Sequence, residues 1–204
     1  MNKDICVIAL NLSDEILSVD CDYIGVDKGA LFLSKSNVHM KLAIGDFDSI
    51  DYNDLEVIKK FSDDIISYPA QKDESDCELA IKYALELGYK HLIITGGLSR
   101  RIDHSFNNLL LTLKYQPADI TFRDKDNKAY ILSPGIHMIS KSHYKYISFF
   151  PLYDSTITLI GFEYNLEKTN LLQFNNLGLS NEIIQEFGTV IVDSGYVMVI
   201  QSND

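Results

Sequence analysis

The stretch Leu42-Ala43-Ile44-Gly45-Asp46-Phe47-Asp48-Ser49 carries an apolar run directly into two acidic residues. The run predicts a short buried strand, and the residues from Gly45 onward predict the turn that follows it. Asp46 and Asp48 flank Phe47, so both carboxylates can point toward one ion while the ring packs beneath them. Carboxylate oxygens are hard ligands that suit Mg²⁺. The alternative is an ordinary turn between strand and helix, where Asp is common.

Three more polar segments follow short apolar runs in the first half of the chain. They are Lys72-Asp73-Glu74-Ser75-Asp76, Gly96-Gly97 and Arg101-Ile102-Asp103-His104. If the preceding runs are strands of one parallel sheet, all four segments lie along its carboxyl edge. Carboxylates gathered there with glycines and basic side chains indicate a divalent cation that carries a polyphosphate.

The segment at residues 72–76 precedes the clearest helix pattern of the chain. Asp73, Ser75 and Asp76 are all candidate caps for that helix. Three candidates are more than one helix needs, which leaves some of them for binding. Lys72 adds a cation where phosphate oxygens would bind. Capping and metal binding both stay open for Asp76.

The pair Gly96-Gly97 predicts a backbone that a ligand can approach closely. The helix that follows offers free N–H groups to an anion. Arg101 beside this turn is a candidate phosphate clamp. Asp103 and His104 are further candidates, with helix capping and a structural hydrogen bond as their respective alternatives.

Two other segments are candidate binding loops. Asp27-Lys28-Gly29 lies between a predicted strand and a predicted helix, where α/β sheets bind ligands, although an ordinary turn also uses a glycine. Gly178-Leu179-Ser180-Asn181-Glu182 is a polar loop in the second half. Its Ser180 and Asn181 either bond to the local backbone or recognise the edge of an amino-pyrimidine ring.

Strand and helix patterns alternate through the first half of the chain. We expect strands at 5–10, 23–26, 42–44, 65–68, 92–95 and 119–122, and helices at 13–19, from 30 onward, and at 54–61, 76–87 and 103–115. This alternation predicts a three-layer α/β/α domain with a mostly parallel sheet.

Short strands with turn residues between them follow a polar segment near residue 125. We expect them at 130–132, 144–150, 156–159, 171–174, 188–192 and 196–200, the last two forming a hairpin around Asp193-Ser194-Gly195. This half is predicted to be a β-sandwich or partial barrel. The predicted domains are 1–125 and 126–204.

Composition limits the class of protein. The chain has 204 residues, 46% of them hydrophobic, and a formal net charge of −11. That charge argues against a nucleic-acid partner and means that an anionic nucleotide would need a metal and local Lys or Arg. Cys6, Cys21 and Cys77 lack metal-site spacing, and with no signal-peptide or membrane-span pattern they predict reduced thiols in a cytoplasmic protein.

Taken together, these motifs resemble those of the thiamine pyrophosphokinase family, which makes thiamine diphosphate from thiamine and ATP. The resemblance rests on the segments at 45–49, 72–76 and 101–104 with Asn108 downstream, on Gly161-Phe162-Glu163-Tyr164-x-Leu166, and on the loop at 178–182. It covers nearly the whole chain. Ser99-Arg100 departs from the small residues that bacterial relatives often have there.

The resemblance implies an α/β ATP-binding catalytic domain, a β-sandwich thiamine-binding domain, and a homodimer whose thiamine sites are shared between subunits. It implies Mg²⁺ held by Asp46, Asp48 and Asp76, with ATP as co-substrate. The implied catalytic residues are Asp46, Asp48, Asp76, Arg101 and Asp103. The implied nucleotide-binding residues are Asp27, Lys28, Gly29, Ser49, Lys72, Gly96, Gly97, Arg101, His104 and Asn108. The implied substrate-binding residues are Asp73, Ser75, Asp76, Tyr164, Ser180, Asn181 and Glu182.

Two other classes of function remain open at this stage. One is a Mg²⁺-dependent phosphatase that uses Asp46 as its nucleophile, although the chain singles out no such nucleophile and gives the β-rich half no part in that reaction. The other is a non-catalytic thiamine or nucleotide sensor, which would keep the pockets without turnover.

Overall fold

The computed structural model describes residues 4–69, 73–98 and 101–204. It divides the chain into two units, Met1–Asp124 and Lys125–Asp204. Each unit has a hydrophobic core of its own.

The first unit is a parallel sheet with helices. Its strands are β1 (Ile5–Ala9), β2 (Asp22–Val26), β3 (Met40–Gly45), β4 (Ser62–Ser67), β5 (His91–Thr95) and β6 (Asp119–Arg123). Its helices are α1 (Lys28–Lys35), α2 (Tyr52–Lys60), α3 (Asp76–Glu86) and α4 (Ile102–Lys114). The strands lie in the order β4-β3-β2-β1-β5-β6, and every neighbouring pair is parallel.

The helices cover both faces of this sheet. Leu33 of α1 and Ile58 of α2 pack in one apolar cluster with strand residues such as Val7. Ile81 of α3 and Leu111 of α4 pack in a second cluster with strand residues such as Ile8. Because Val7 and Ile8 are consecutive residues of one strand, their side chains point to opposite faces. The predicted three-layer arrangement is therefore confirmed.

The predicted helix at residues 13–19 is wrong, because these residues bond to distant partners instead of to one another. The hydroxyl of Ser13 lies 2.8 Å from that of Thr95. The amide of Leu17 donates to the Tyr23 hydroxyl at 3.1 Å. Burial raises the pKa of Tyr23 to about 12. A helix this short is marginal without packing to support it, so these tertiary bonds prevail.

The second unit consists of antiparallel strands. They are β7 (Asn127–Leu132), β8 (Gly135–Ser140), β9 (Tyr146–Pro151), β10 (Ser155–Ile160), β11 (Leu166–Leu171), β12 (Phe187–Ser194) and β13 (Val197–Ser202). One group has the order β7-β13-β9, and a four-stranded sheet has the order β11-β10-β12-β8. Buried residues of both groups, including Phe149 of β9 and Val190 of β12, form one core. This is the sandwich that the sequence predicts.

The predicted closing hairpin is wrong. β12 pairs with β8 and β10, whereas β13 pairs with β7 and β9, so the turn at Gly195 carries the chain from one sheet to the other. Val192 and Val197 on either side of that turn are both buried in the core between the sheets. If β12 and β13 formed a flat hairpin, both strands would lie in one sheet. They could then not contribute Val192 and Val197 to the core from opposite sheets.

Two smaller differences concern strands of the second unit. The predicted strand at 171–174 is wrong, because the strand in this region is β11 and ends at Leu171. β8 has no counterpart in the prediction. Its Ile136 and Met138 are exposed, while Ile139 is buried, so the strand lacks a simple alternation of apolar inside and polar outside.

None of the helices in the described part of the chain has the length and apolar character that a membrane span requires.

Candidate active site

The strand order of the first unit creates a crevice beside β1. The chain runs from β1 through β2 and β3 to β4 on one side, whereas β5 and β6 lie on the other side. The loops that leave β1 and β5 at their carboxyl ends therefore run in opposite directions. Such a switch point is where open α/β sheets bind ligands.

A pocket of about 840 Å³ lies at this switch point. Its walls come from the loops after β1 and β5, from the last residue of β2, and from α3 and α4. The residues that line it are Leu10, Asn11, Leu12, Val26, Ser75, Asp76, Cys77, Gly96, Gly97, Arg101, His104 and Asn108. Seven of these belong to the predicted site, so the structure brings together the segments that begin α3 and α4.

The turn after β5 is shaped by close backbone packing. Gly96 has a φ of 70°, and a Cβ there would lie 2.3 Å from the amide nitrogen of Ser13. A Cβ on Gly97 would lie 2.8 Å from the ring of Phe122. Both glycines are thus required by the fold of the turn itself. Their backbone also lines the pocket, and close approach by a ligand stays a prediction.

At the beginning of α3, Ser75 is the cap and Asp76 is not. The Ser75 hydroxyl accepts a hydrogen bond from the amide of Glu78 at 3.2 Å. Asp76 is in the first turn of the helix and lines the pocket. Asp76 does not supply this cap, and its carboxylate lies beside the positive end of the helix dipole, which favours a negative group there. Asp73 is exposed just before the helix.

At the beginning of α4, Arg101 and Asp103 form an exposed ion pair. The Nη2 atom of Arg101 donates to Oδ2 of Asp103 at 2.6 Å, and Nε donates to Oδ1 at 3.3 Å. This bond lowers the pKa of the Asp103 carboxyl below its usual value. A lower pKa makes Asp103 a weaker base, while its carboxylate orients the guanidinium at the pocket. His104 Nε2 is 4.0 Å from the same carboxylate.

Asn108 and Glu78 hold α3 and α4 in place behind the pocket. The side-chain amide of Asn108 donates to the carbonyl oxygen of Gly97 at 2.8 Å. Glu78 is buried and accepts hydrogen bonds from Lys114 at 2.6 Å and from the Tyr115 hydroxyl at 2.7 Å. Burial raises the pKa of this carboxyl, but the two hydrogen bonds outweigh burial, so the pKa of Glu78 is lowered.

The acidic turn after β3 adopts a compact conformation. Oδ1 of Asp46 accepts a hydrogen bond from the amide of Asp48 at 3.1 Å, and the amide of Ile50 donates to the Phe47 carbonyl at 2.9 Å. Phe47 has a φ of 54° and is buried. The predicted packing of this ring beneath the turn is confirmed. Asp48 and Ser49 are exposed, and Asp46 is partly so.

The three predicted metal ligands do not form a ready-made metal centre. Within residues 4–69, 73–98 and 101–204, the acidic, His and Cys side chains form no group of three that could hold an ion. The two carboxylates of the acidic turn still fit Mg²⁺, because Mg²⁺ in phosphate-transfer sites usually takes one or two carboxylates and completes its shell with phosphate oxygens and water. The ligand set of Asp46, Asp48 and Asp76 stays a prediction.

The Asp27-Lys28-Gly29 segment packs closely against its neighbours. A Cβ on Gly29 would lie 2.1 Å from the carbonyl oxygen of Ala9, so this glycine lets α1 begin directly beside β1. The amide of Lys28 donates to Oδ1 of Asn11 at 3.2 Å. Asp27 is buried beside the acidic turn. For Gly29, close packing is the role that the geometry supports.

Sequence reasoning missed Asn11 and Leu12, which line the pocket. Both follow β1 directly, and the strand order makes that position part of the ligand crevice. The signal was present, since these residues come straight after the first apolar run. The incorrect prediction of a helix at 13–19, directly after these two residues, left them without a role in the site. Lys72 and Arg100 lie outside the described residues.

In the second unit, the side chain of Asn181 binds the backbone of Tyr164. Its Oδ1 accepts from the Tyr164 amide at 3.0 Å and from the Glu182 amide at 2.9 Å, and its Nδ2 donates to the Tyr164 carbonyl at 2.7 Å. Asn181 is only 4% exposed, whereas Tyr164 is 65% exposed. Local backbone bonding, one of the two roles open from sequence, is therefore present for Asn181.

Ser180 lies next to this amide with a strained backbone. It has a φ of 55°, and its own amide donates to the Ser148 hydroxyl at 3.0 Å. Ser180 itself is exposed, and the Glu182 side chain is partly exposed. The loop thus presents Ser180 to solvent while Asn181 faces inward.

Fold and site together define a protein with an α/β unit, whose pocket lies at the switch point of a parallel sheet, followed by an all-β unit. The model of the family described as "Thiamin pyrophosphokinase, catalytic domain" matches residues 15–123, and that described as "Thiamin pyrophosphokinase, vitamin B1 binding domain" matches residues 136–197. The chain belongs to the thiamine pyrophosphokinase family.

Individual relatives agree with this assignment. Thiamine pyrophosphokinase of Bacillus subtilis (strain 168) is 35% identical over 187 residues, which cover 89% of this chain and 87% of that protein. The crystal structure of thiamine pyrophosphokinase from Bacillus subtilis superposes with a TM-score of 0.87 at 30% identity, over 98% of this chain and 99% of that one. A thiamin pyrophosphokinase family protein from Enterococcus faecalis has a TM-score of 0.87 at 27% identity, over 99% of this chain and 100% of that one.

Proposed function

We propose that this protein transfers the pyrophosphoryl group of ATP to the hydroxyethyl oxygen of thiamine, giving thiamine diphosphate and AMP. The observation that carries the proposal is that its two halves match, in chain order, the catalytic and vitamin-binding domains of one transferase family. The alternatives of a phosphatase and of a non-catalytic sensor find no support in this match.

In the proposed reaction, the hydroxyl oxygen of thiamine forms a bond to the β-phosphorus of ATP. The bond from that phosphorus to the oxygen bridging it to the α-phosphorus breaks, and AMP leaves with the electron pair. The alcohol proton passes to a carboxylate or to water. Such a transfer depends mainly on positioning and on stabilisation of charge.

The pocket of the first unit is the proposed ATP site. Backbone N–H groups of the Gly96-Gly97 turn and the N-terminal end of α4 suit phosphate oxygens. The guanidinium of Arg101, oriented by Asp103, would stabilise the charge that develops on the phosphates. Asn108 supports this turn through its bond to Gly97. Lys28, Ser49, Lys72 and His104 remain proposed nucleotide contacts, and Asp27 belongs to the proposed site through the acidic turn that it contacts.

Asp46 and Asp48 are the proposed Mg²⁺ ligands, with Asp76 as a third. A Mg²⁺ ion held there would neutralise the triphosphate and polarise its phosphorus atoms. Asp76 is also the better candidate to orient the thiamine hydroxyl. It lines the pocket, and the lowered pKa of Asp103 makes that other carboxyl a weaker base.

Residues of the second unit would hold the vitamin. Tyr164 offers an exposed aromatic ring, and Ser180 and Glu182 are accessible for hydrogen bonds. Together with Asp73 and Ser75, these are the proposed thiamine contacts, and Asn181 supports them through its bonds to the Tyr164 backbone. We further propose a cytoplasmic homodimer in which each thiamine site is shared between subunits. Cysteines 6, 21 and 77 are buried and form no disulfide, which supports a reducing compartment.

The reaction is tested with ATP labelled in its β- or γ-phosphate. Label should move to thiamine diphosphate while AMP forms in equal amount, and EDTA should stop the reaction. Release of ADP, or nucleotide turnover without thiamine, would contradict the proposal.

Shared sites are tested by mixing two defective proteins, Asp46→Ala and Tyr164→Ala, under conditions that exchange subunits. A heterodimer then carries one site with both defects and one with neither, so activity should recover in part. Exchange confirmed by mass spectrometry without recovery would mean that each chain builds its own site.

A further inference from the structure

Asp27 lies at the end of β2, beside the acidic turn that follows the neighbouring strand β3. Its Oδ1 accepts a hydrogen bond from the amide of Phe47 at 3.1 Å, and its own amide donates to the Ile44 carbonyl at 3.1 Å. Asp27 is only 6% exposed. Its carboxylate thus contacts the residue between Asp46 and Asp48 from the buried side.

The backbone on both sides of this contact is strained. Asp27 has φ 47° and ψ −114°, and Phe47 has φ 54°. Non-glycine residues hold positive φ values only where the surroundings over-determine them. The hydrogen bond from Phe47 to Asp27 joins the two strained residues directly, so each holds the other in its unusual conformation.

Gly45 leaves the space that this carboxylate occupies. A Cβ on Gly45 would lie 1.9 Å from Oδ1 of Asp27 and 2.6 Å from its Cγ. Any side chain at position 45 would therefore displace Asp27 from the acidic turn. A glycine is therefore needed at position 45 because it leaves room for the contact between Asp27 and Phe47. Its own φ angle does not require glycine.

We propose that Asp27 is a positioning residue, which holds the Asp46-Phe47-Asp48 turn in the conformation that aims both carboxylates at a metal-bound triphosphate. The inference rests on the proposed function. It gives Asp27 a different role from direct nucleotide contact, because its carboxylate acts on the Phe47 amide. A partner group that orients metal ligands is commonly worth about 10–100-fold in metal affinity.

Three variants separate the possible roles of Asp27. Asp27→Gly removes the carboxylate without adding backbone strain, since glycine accepts a positive φ. Asp27→Asn keeps an oxygen acceptor and removes the charge. Gly45→Ala leaves Asp27 in the chain but forces it away from Phe47. Asp51→Ala is the matched control, because Asp51 is an acidic residue of the same loop that caps α2 through Asp54.

The readouts are Mn²⁺ binding by electron paramagnetic resonance, hydrogen exchange of the Phe47 amide by NMR, and steady-state kinetics. Asp27→Gly and Gly45→Ala should each exchange the Phe47 amide at least about tenfold faster and bind Mn²⁺ about tenfold more weakly. The Mg²⁺ concentration for half-maximal rate should rise in parallel, while the KM for thiamine stays within about twofold. Asp27→Asn should keep most of the protection of the Phe47 amide and most of the Mn²⁺ affinity. Asp51→Ala should match the unsubstituted protein in both.

Two results would overturn the proposal. One is an unchanged Phe47 amide and unchanged Mn²⁺ affinity in Asp27→Gly or, if that variant does not fold, in Gly45→Ala. The other concerns Asp27→Asn. If this variant protects the Phe47 amide but loses as much Mn²⁺ affinity as Asp27→Gly, Asp27 is a direct metal ligand. If the unsubstituted protein forms no AMP from thiamine and ATP, the proposed function fails, and the Mn²⁺ and amide readouts still decide the role of Asp27.

Discussion

The side-chain amide of Asn108 donates a hydrogen bond of 2.8 Å to the carbonyl oxygen of Gly97. It joins the second turn of α4 to the glycine turn that precedes this helix. Asn108 is 6% exposed, so the bond is shielded from water. The conformation of the turn that lines the pocket therefore depends on a residue deeper in the helix.

Replacing Asn108 by Ala should leave the Gly97 carbonyl buried without this donor. We expect the free energy of unfolding to fall by about 1–3 kcal/mol and the KM for ATP to rise. Chemical denaturation and steady-state kinetics measure the two effects. Asn107→Ala, one position earlier on the exposed face of α4, is the matched control and should change neither. Equal effects from Asn108→Ala and Asn107→Ala would contradict the role of the Asn108 side chain in supporting the glycine turn.

Asp46→Ala and Asp48→Ala should each lower kcat/KM at least about 100-fold while the protein stays folded. The carboxylates of this turn are exposed or partly exposed and repel each other without a cation, so their loss removes little folding energy. Asp46→Asn is informative as well. It keeps an acceptor for the Asp48 amide and removes only the charge, and should lose as much activity as Asp46→Ala.

Asp51→Ala, three residues further on, should behave in the opposite way. It removes a helix cap that is worth about 1 kcal/mol of stability and should leave activity per folded molecule intact. Thermal melts beside activity assays compare the three positions. If Asp46→Ala lowers the melting temperature and keeps its activity, Asp46 has a structural role only.

Asn181→Ala should disorder the backbone that carries Tyr164. Three hydrogen bonds to this side chain would be lost, including both bonds to the Tyr164 backbone. We expect a lower free energy of unfolding, by about 1–3 kcal/mol, and a higher KM for thiamine with the KM for ATP unchanged.

Asn175→Ala is the control for this change. Asn175 is exposed, and its Oδ1 accepts a hydrogen bond from the nearby Leu177 amide. Tyr164→Ala separates the change in the KM for thiamine from the change in the free energy of unfolding. It should raise the KM for thiamine without the loss of stability. A thiamine KM that Asn181→Ala leaves unchanged would rule out a role for this amide in the vitamin site.

Glu78 should make stability depend on acid pH. The pKa of its carboxyl is lowered in the folded protein, so its contribution is present above the unfolded pKa and is lost as pH falls through the folded value. Glu78→Gln should cost about 1–3 kcal/mol at pH 7. The difference between the two proteins should shrink as the pH is lowered below about 4.5, which is near the unfolded pKa of a Glu carboxyl.

Unfolding in urea between pH 7 and pH 3 measures this dependence. Glu86→Gln serves as the control, since Glu86 is exposed near the end of the same helix. A constant difference between Glu78→Gln and the unsubstituted protein across this range would show that the ion pair with Lys114 does not stabilise the fold.

Local patterns predicted the elements whose residues interact mainly with near neighbours. The sequence predicts α3 at 76–87, and the helix runs from Asp76 to Glu86. Its apolar stripe, its cap at Ser75 and its closing glycine lie within fourteen residues of one another in the sequence. The sequence points to the glycine turn and Arg101 in the same way, because strand, turn and helix follow one another directly along the chain, and the structure places these residues in the pocket wall.

Long-range partners explain what the sequence could not predict. Ser13 bonds to Thr95, 82 positions away, and this removes the expected helix after β1. Asp27 meets Phe47 across twenty positions, and Asn181 meets Tyr164 across seventeen. No local pattern records these pairs, so a positioning role for Asp27 or Asn181 emerges only once the strands are in order.

The position of β13 has a consequence for synthesis on the ribosome. Val197–Ser202 pairs with β7 on one side and β9 on the other, although it is the last of the seven strands of the second unit to be translated. Until it leaves the exit tunnel, the nascent chain holds β7 and β9 with no strand between them. The six strands described for the first unit end by residue 123, so this unit can complete its sheet while the rest is still being made. The emerging protein therefore passes through a stage in which a finished α/β unit trails strands with unpaired edges, which are the species that chaperones bind.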